Sequence, residues 1–350
     1  MKIAQVAPLY ERVPPVLYGG TERVVSFLTE ALVRDGHDVT LFASADSVTT
    51  ARLIGATRSA LRLDARVEDP VAHHAILLDL VARHASEFDL VHYHTGYLHF
   101  PLSRQLGEPN VTTLHGRLNI PDLADVYENF PDMPVVSISE AQRAPLPWAN
   151  WQATVPHGLP EDLFAFRARA GEHLAFVGRT SPEKRPDRAI EIAERAGMRL
   201  KMAAKVDAAD RAYFESKIRP LLARPGVEFV GEIGEEEKAD FLGSARALLF
   251  PIDWPEPFGL VMIEALACGT PVIAFRKGSV PEIIEDGVSG FIVESVEEAV
   301  EPIGRLDRID RGACRKAFER RFTASRMARQ YVEVYRRVLA DCGRGREAIG

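Results

Sequence analysis

Lysine is almost missing from the first half of this chain. After Lys2 the next lysine is Lys184, although Lys and Arg together number 43. Codon usage alone could leave such a gap, but it singles Lys184 out for inspection. Cysteine is scarce as well: Cys268, Cys314 and Cys342 stand too far apart for a disulfide framework or a zinc site, and read as reduced thiols of a cytoplasmic protein. No apolar run approaches the roughly 18 residues of a membrane span, and no charged, apolar and small-residue leader is expected at the start. Without a long basic amphipathic helix, a weak peripheral membrane contact is the most that is expected. Positive charge is lacking too: the net charge is −7. That argues against a nucleic-acid binder, whose affinity rests on Lys and Arg contacts to phosphate.

What is present is ordinary for a globular protein, with 46% apolar and 27% charged residues over 350 positions. At roughly 150 residues per domain the length suggests two domains. Strand and helix patterns alternate throughout, as in parallel α/β layers. The spacing predicts strands over 2–7, 39–43, 90–93, 111–114, 135–138 and 153–155, with helices over 21–34 and 71–85. Pro145, Pro147, Pro156 and Pro160 interrupt regular structure, and the domain junction is placed there. Beyond it the pattern predicts strands over 174–177, 199–203, 227–230, 247–251 and 271–275. Helices are predicted over 186–196, 208–223, 235–245, 258–267 and 323–340. The expected division is 1–158, 159–322 and 323–350: two doubly wound Rossmann-like units, with a cleft between them for a ligand and a terminal helix.

Three segments carry chemistry. Tyr18-Gly19-Gly20-Thr21-Glu22-Arg23 sits where a strand turns into a helix; glycines there admit a ligand to the backbone and to helix N–H groups. Its spacing fits neither G-x-G-x-x-G nor the P-loop, and a plain tight turn explains it equally well. In Gly178-Arg179-Thr180-Ser181-Pro182-Glu183-Lys184, a guanidinium fork and an ammonium leave the C-terminal end of a strand, a pairing that suits a diphosphate. A solvated basic turn is the alternative. The third segment runs from Trp254 through Glu256-Pro257-Phe258-Gly259-Leu260-Val261 to Glu264. Pro257 suits the first position of a helix. Glu256 would then stand at its entry and Glu264 two turns along on a similar side, with the N–H groups of Phe258, Gly259 and Leu260 between them. A glutamate among Val261, Ile263, Ala265 and Leu266 needs a partner if buried; otherwise it is one surface residue of a capped helix.

In this order the segments resemble the retaining glycosyltransferases of family 4, which have the GT-B fold, over nearly the whole chain. Glu256 and Glu264 match the family's Glu-x7-Glu motif. Arg179 and Lys184 match its basic pyrophosphate loop, and Gly19-Gly20 its N-terminal glycine loop. Thr113-Leu114-His115-Gly116, Val136-Ser137-Ile138-Ser139 and Val155-Pro156-His157-Gly158 look like its remaining signatures. His157 stands where asparagine is commoner, which puts a role for that side chain in doubt but not the turn. The resemblance implies transfer of a hexosyl unit from a nucleotide-diphosphate sugar, UDP- or GDP-linked, to a hydroxyl of a glycan, lipid or small molecule. It also implies retention of configuration by front-face attack, with no cofactor and no metal.

Residue roles follow from the same resemblance. Arg179 and Lys184 would bind the diphosphate, Glu264 the ribose and Glu256 the transferred sugar. The backbone of Phe258, Gly259, Leu260 and Val261 would lie beside sugar and phosphates, while Gly20 with Gly19 would meet the diphosphate as the domains close. His115, with Arg179, Lys184 and Glu256, would act in catalysis, and Gly231 and Ile233 would flank the base. His94 and Thr95 are weaker expectations for the acceptor side, and a structural role for His94 is the alternative. Loops 9–18, 46–64 and 94–105 are the expected acceptor loops. A metal reading of His92 and His94, or of His73 and His74, lacks a third ligand in any motif. Two rivals stay in view: a catalytically inactive nucleotide-sugar-binding protein, against which the retained charged residues argue, and a nicotinamide-linked dehydrogenase, whose glycine fingerprint is missing.

Overall fold

A computed structural model describes residues 1–17 and 19–347, leaving aside the side chains of Leu63 and of 344–347. The chain divides into two compact units: Met1–Gly158 with Ala324–Gly350, and Leu159–Thr323. Unit 1 holds β1 (Lys2–Val6), β2 (Asp38–Ser44), β3 (Arg52–Thr57), β4 (Leu90–Tyr93), β5 (Asn110–Thr113), β6 (Val135–Ser137) and β7 (Trp151–Thr154). They form one parallel sheet in the order β3-β2-β1-β4-β5-β6-β7. Unit 2 holds β8 (His173–Arg179), β9 (Arg199–Lys205), β10 (Val227–Gly231), β11 (Ala247–Phe250), β12 (Val272–Phe275) and β13 (Gly290–Val293). Its sheet is also parallel, ordered β10-β9-β8-β11-β12-β13. In both units the strand order reverses beside the first strand, between β1 and β4 and between β8 and β11. The crevice over the C-terminal strand ends at such a point is where open α/β sheets bind ligands.

Each sheet is covered on both faces, so its central strands are apolar without alternation: β11 and β12 are buried at every residue. The unit 2 core joins Phe176, Ile190, Met202, Leu249 and Phe275; one unit 1 core gathers Phe42, Leu77, Val81 and Tyr93. Fully burying each such side chain contributes roughly 1.5–3 kcal/mol. The first helix, Gly20–Arg34, buries Val24, Val25, Leu28 and Leu32. It ends at Gly36, whose φ of 83° lets the N–H groups of Gly36 and His37 reach back to Val33 and Leu32. The terminal helix, Ala324–Glu347, packs on unit 1 against that first helix and β5, burying Met327, Tyr331, Val334 and Tyr335. No helix among the described residues is long and apolar enough to cross a membrane.

Several predicted elements differ. The helix expected over 208–223 is broken into a 3-10 turn (Ala208–Asp210), one α turn, a π turn (Phe214–Ile218) and a further 3-10 turn (Leu221–Ala223). Pro220 has no N–H to continue it. Strands β3 and β13 were not anticipated. In β3 the residues are half-buried or exposed, and Gly55 lies so near Ala45 that a Cβ would approach the alanine methyl to 2.6 Å. The helix expected over 258–267, starting at Pro257 or just after, begins at Leu260, because Gly259 turns left-handed at φ 81° and caps it.

Candidate active site

In unit 2 the basic segment starts on a strand and ends in a tight turn. Arg179 is the last residue of β8, and its Nη1 lies 3.3 Å from Asp210 and 3.7 Å from Asp207. Burial pushes the Asp210 carboxyl above its usual range. After Thr180 and Ser181, both fully buried, the Lys184 and Arg185 N–H groups donate to the Ser181 carbonyl. Arg185 adopts the left-handed region at φ 50° and leads into the helix Pro186–Arg195. It is held there by Asp187 and, with Arg188, by the carboxylate of Asp253. The Asp253 N–H donates to the Glu183 carbonyl at 2.8 Å, which ties this turn to the loop carrying Trp254 and Glu256.

That tie brings two expected residues together. Lys184 Nζ donates to Glu256 Oε2, which also accepts from Trp254 Nε1 at 2.9 Å. The ammonium lies 5.1 Å from the Trp254 ring and 5.6 Å from that of Phe250, and the two side chains are only 15% and 10% exposed. The backbone of Glu256 is seated on Gly278: at φ 53°, a Cβ there would meet the Glu256 carbonyl oxygen at 2.3 Å and its nitrogen at 2.4 Å. The Ser279 N–H and Oγ donate to the carbonyls of Glu256 and Phe258, closing the loop. With the helix starting at Leu260, its leading N–H groups are those of Leu260 and Val261, and Phe258 and Gly259 precede it. Glu264 is therefore the fifth helical residue, not two turns in. It is 2% exposed, and its Oε1 accepts from Lys238 Nζ, 2.7 Å away on the helix Glu235–Gly243.

Gly231 ends β10 at φ 81°, and Ile233 follows it half-buried. Lys238, Asp253 and Gly278 were missed in the sequence. The lysine stands 26 residues before Glu264, at no motif spacing. Only the oddity of a glutamate in an apolar helix pointed to a partner of this kind.

In unit 1, Tyr18 of the glycine segment lies outside the described residues. Gly19 caps the first helix, and a Cβ on it would strike Pro15 at 2.7 Å; Gly20 is exposed. Beside them burial pushes the Glu22 carboxyl up to about 7. Glu11, also buried, pairs with Arg62 at 2.8 Å. His115 lies two residues beyond β5 and His94 one beyond β4, the strand beside the switch point. His94 is 4% exposed and bonds through both ring nitrogens, so it is an internal residue; Thr95 beside it is half-buried. Burial lowers the His115 imidazole to about 3 and holds His92, His94 and His157 well below the usual range, so all four are neutral. Among the described residues no group of three His, Cys, Asp or Glu side chains is arranged to hold a metal ion.

Two family models match the chain in series: Glycosyltransferase Family 4 over residues 18–151 and Glycosyl transferases group 1 over 167–308. A D-inositol 3-phosphate glycosyltransferase of Streptomyces griseus is 30% identical over 69% of this chain, and one of Thermobispora bispora is 31% identical over 68%. The chain spans only 58% and 60% of the length of those two relatives. Among solved structures, AviGT4, a glycosyltransferase involved in avilamycin A biosynthesis, is 26% identical with a TM-score of 0.75, the match covering 97% of this chain and 98% of that one. The sucrose-phosphate synthase of Thermosynechococcus elongatus has a TM-score of 0.82 at 21% identity, over 97% and 100% of the two chains, and shares the fold. With both family models matched and two parallel Rossmann-like sheets in series, the chain belongs to the family 4 glycosyltransferases of GT-B fold.

Proposed function

We propose that this chain transfers a hexosyl unit from a UDP- or GDP-sugar to an acceptor hydroxyl, with retention and without a metal ion. The observation that carries this reading is the arrangement in unit 2. Arg179, Lys184 and a helix N-terminus stand at the C-terminal side of one parallel sheet, with Glu256 on the lysine and Glu264 in the helix. Two cations and helix N–H groups supply the positive charge that a departing nucleoside diphosphate needs, which is commonly the largest catalytic contribution. Glu256, held by Lys184 and Trp254, accepts from hydroxyls of the transferred sugar beside the backbone of Phe258 to Val261. Glu264 accepts from the ribose, and Gly231 and Ile233 flank the base. In unit 1, Gly19, Gly20 and His115 are assigned to the ligand on that half.

In the step proposed, the bond from the anomeric carbon to the β-phosphate oxygen breaks. A bond from that carbon to the acceptor oxygen forms on the same face, and the acceptor proton passes to the departing phosphate oxygen. No cofactor takes part. Relatives named for D-inositol 3-phosphate make a polyol phosphate the first acceptor to try.

Calorimetry with UDP-, GDP- and ADP-sugars, followed by product analysis with and without EDTA, tests the reading. Binding of one nucleotide sugar, slow donor hydrolysis unaffected by EDTA, and an axial-to-axial product are expected. A chain that neither binds nor hydrolyses any of them, or that makes the opposite anomer, overturns it. Lys184→Ala should lower kcat about 100-fold, the usual cost of one charge-stabilising donor.

A further inference from the structure

His115 is the end of a line of buried hydrogen bonds inside unit 1. Its Nδ1 is enclosed and, among the described residues, receives no hydrogen bond. Its Nε2 lies 2.9 Å from His94 Nδ1, and His94 Nε2 lies 2.8 Å from Gln5 Oε1 on β1. The Gln5 amide nitrogen donates to the Tyr335 hydroxyl on the terminal helix at 3.1 Å. That hydroxyl is also 2.8 Å from His92 Nδ1, while His92 Nε2 meets Thr113 Oγ1 at 2.7 Å and Thr113 meets Tyr331 at 2.8 Å.

Protons can be counted along this line, because a neutral imidazole carries one proton for two nitrogens. With its amide nitrogen on Tyr335, Gln5 offers His94 only a carbonyl oxygen, so His94 is protonated on Nε2. His94 Nδ1 is then an acceptor, and the proton in its contact with His115 belongs to His115 Nε2. That leaves His115 Nδ1 as a bare lone pair. A buried acceptor without a donor is unfavourable, and a ligand hydroxyl would relieve it.

We propose that Gln5 and His94 are positioning residues: anchored on Tyr335, they fix His115 as the Nε2–H tautomer and so reserve its Nδ1 for a sugar hydroxyl. Only the identity of the ligand rests on the transferase reading; the relay itself does not. Reversing the Gln5 amide would reverse every proton along the line and make Nδ1–H a donor, which defines the opposite outcome.

The test is a long-range nitrogen–proton correlation spectrum of the full chain labelled with 15N-histidine, the His115 signals being assigned with His115→Gln. A pyrrole-like Nε2 and a pyridine-like Nδ1 are expected in the free protein, and the reverse pattern overturns the proposal. In His94→Leu the two His115 nitrogens should move toward averaged shifts. Donor hydrolysis or transfer should lose at least tenfold in kcat, with the Kd for the nucleotide diphosphate unchanged within twofold. Gln5→Glu, which keeps an oxygen toward His94, should recover most of what Gln5→Leu loses. A loss in donor hydrolysis without acceptor places the hydroxyl on the transferred sugar; a loss in transfer alone places it on the acceptor. A chain that binds no nucleotide sugar but shows the expected tautomer sinks the transferase reading and keeps the relay. Normal turnover and an unmoved tautomer in His94→Leu sink the relay and keep the transferase.

Discussion

Glu264 and Glu256 are both carboxylates of one motif, yet their surroundings differ. Glu264 is sealed against Lys238, whereas Glu256 shares Lys184 with the turn that we assign to the diphosphate. If Glu264 holds a ribose, removing its charge while keeping its volume should injure binding before folding. Glu264→Gln is expected to weaken nucleotide affinity more than tenfold, or over ~1.4 kcal/mol, by calorimetry. A change within twofold would refute the ribose role and leave a purely structural ion pair. Lys238→Met tests the other half of the pair. It strands a buried carboxylate, which costs about 3 kcal/mol, and should lower the urea midpoint of unit 2. The motif alone announced both glutamates, because their spacing is local. Lys238 was invisible, because ion pairing across two helices has no sequence period.

Among the elements, the loop between β11 and the helix Leu260–Ala267 is shaped by two glycines that act differently. At Gly259 a side chain would face the flexible end of Met262 at 2.8 Å and the Phe250 ring at 3.1 Å, in a left-handed backbone. Gly259→Ala should therefore cost about 1–2 kcal/mol, chiefly conformational strain. At Gly278 the obstacle is the Glu256 backbone itself, which cannot step aside without carrying Glu256 away from Lys184. Gly278→Ala is expected to reduce turnover more than tenfold at a temperature where the variant is still folded by circular dichroism. Gly36→Ala makes the control: it is strained at φ 83° but meets nothing within 4 Å, so stability should fall with turnover unchanged. Pro257 suggested a helix start there or just after, and the left-handed turn at Gly259 sets it at Leu260. Local propensity names the breaker; only packing on Gly278 shows where the chain goes next.

Over the whole molecule, histidine is distributed unevenly in a way that bears on stability. His92, His94, His99 and His157 are buried in unit 1 and His115 is half-buried, and desolvation lowers each below the ordinary value of 6.5, His99 and His115 to about 3. The unfolded chain therefore binds protons near pH 6.5 that the folded unit refuses, so stability is lost as pH falls from 6.5 toward 3. Each proton contributes about 1.4 kcal/mol per pH unit. Glu22 and Glu108 act oppositely, since burial raises their carboxyls, Glu22 to about 7, and so favours the folded state at lower pH, but they are outnumbered by the lowered histidines of unit 1, which include His37 and His74 as well. Amide hydrogen exchange between pH 6.5 and 4.5 should show unit 1 losing protection before unit 2, which has a single histidine, His173, to take up a proton. Equal loss in both units would contradict this.

The lysine gap that drew attention to Lys184 ends at the candidate active site. Lys184 lies on Glu256, and the histidines cluster where β1, β4 and β5 end. By itself the sequence determined the alternating α/β class and named the residues of the motif loops. Those depend on short-range periodicity and on spacings of a few residues. Tertiary structure alone decided the strand order, the Lys238–Glu264 and Lys184–Glu256 pairs, and the line from Tyr335 through Gln5 and His94 to His115. These contacts join residues as much as 330 positions apart, and burial and hydrogen-bond geometry, which select such partners, leave no periodic trace along the chain.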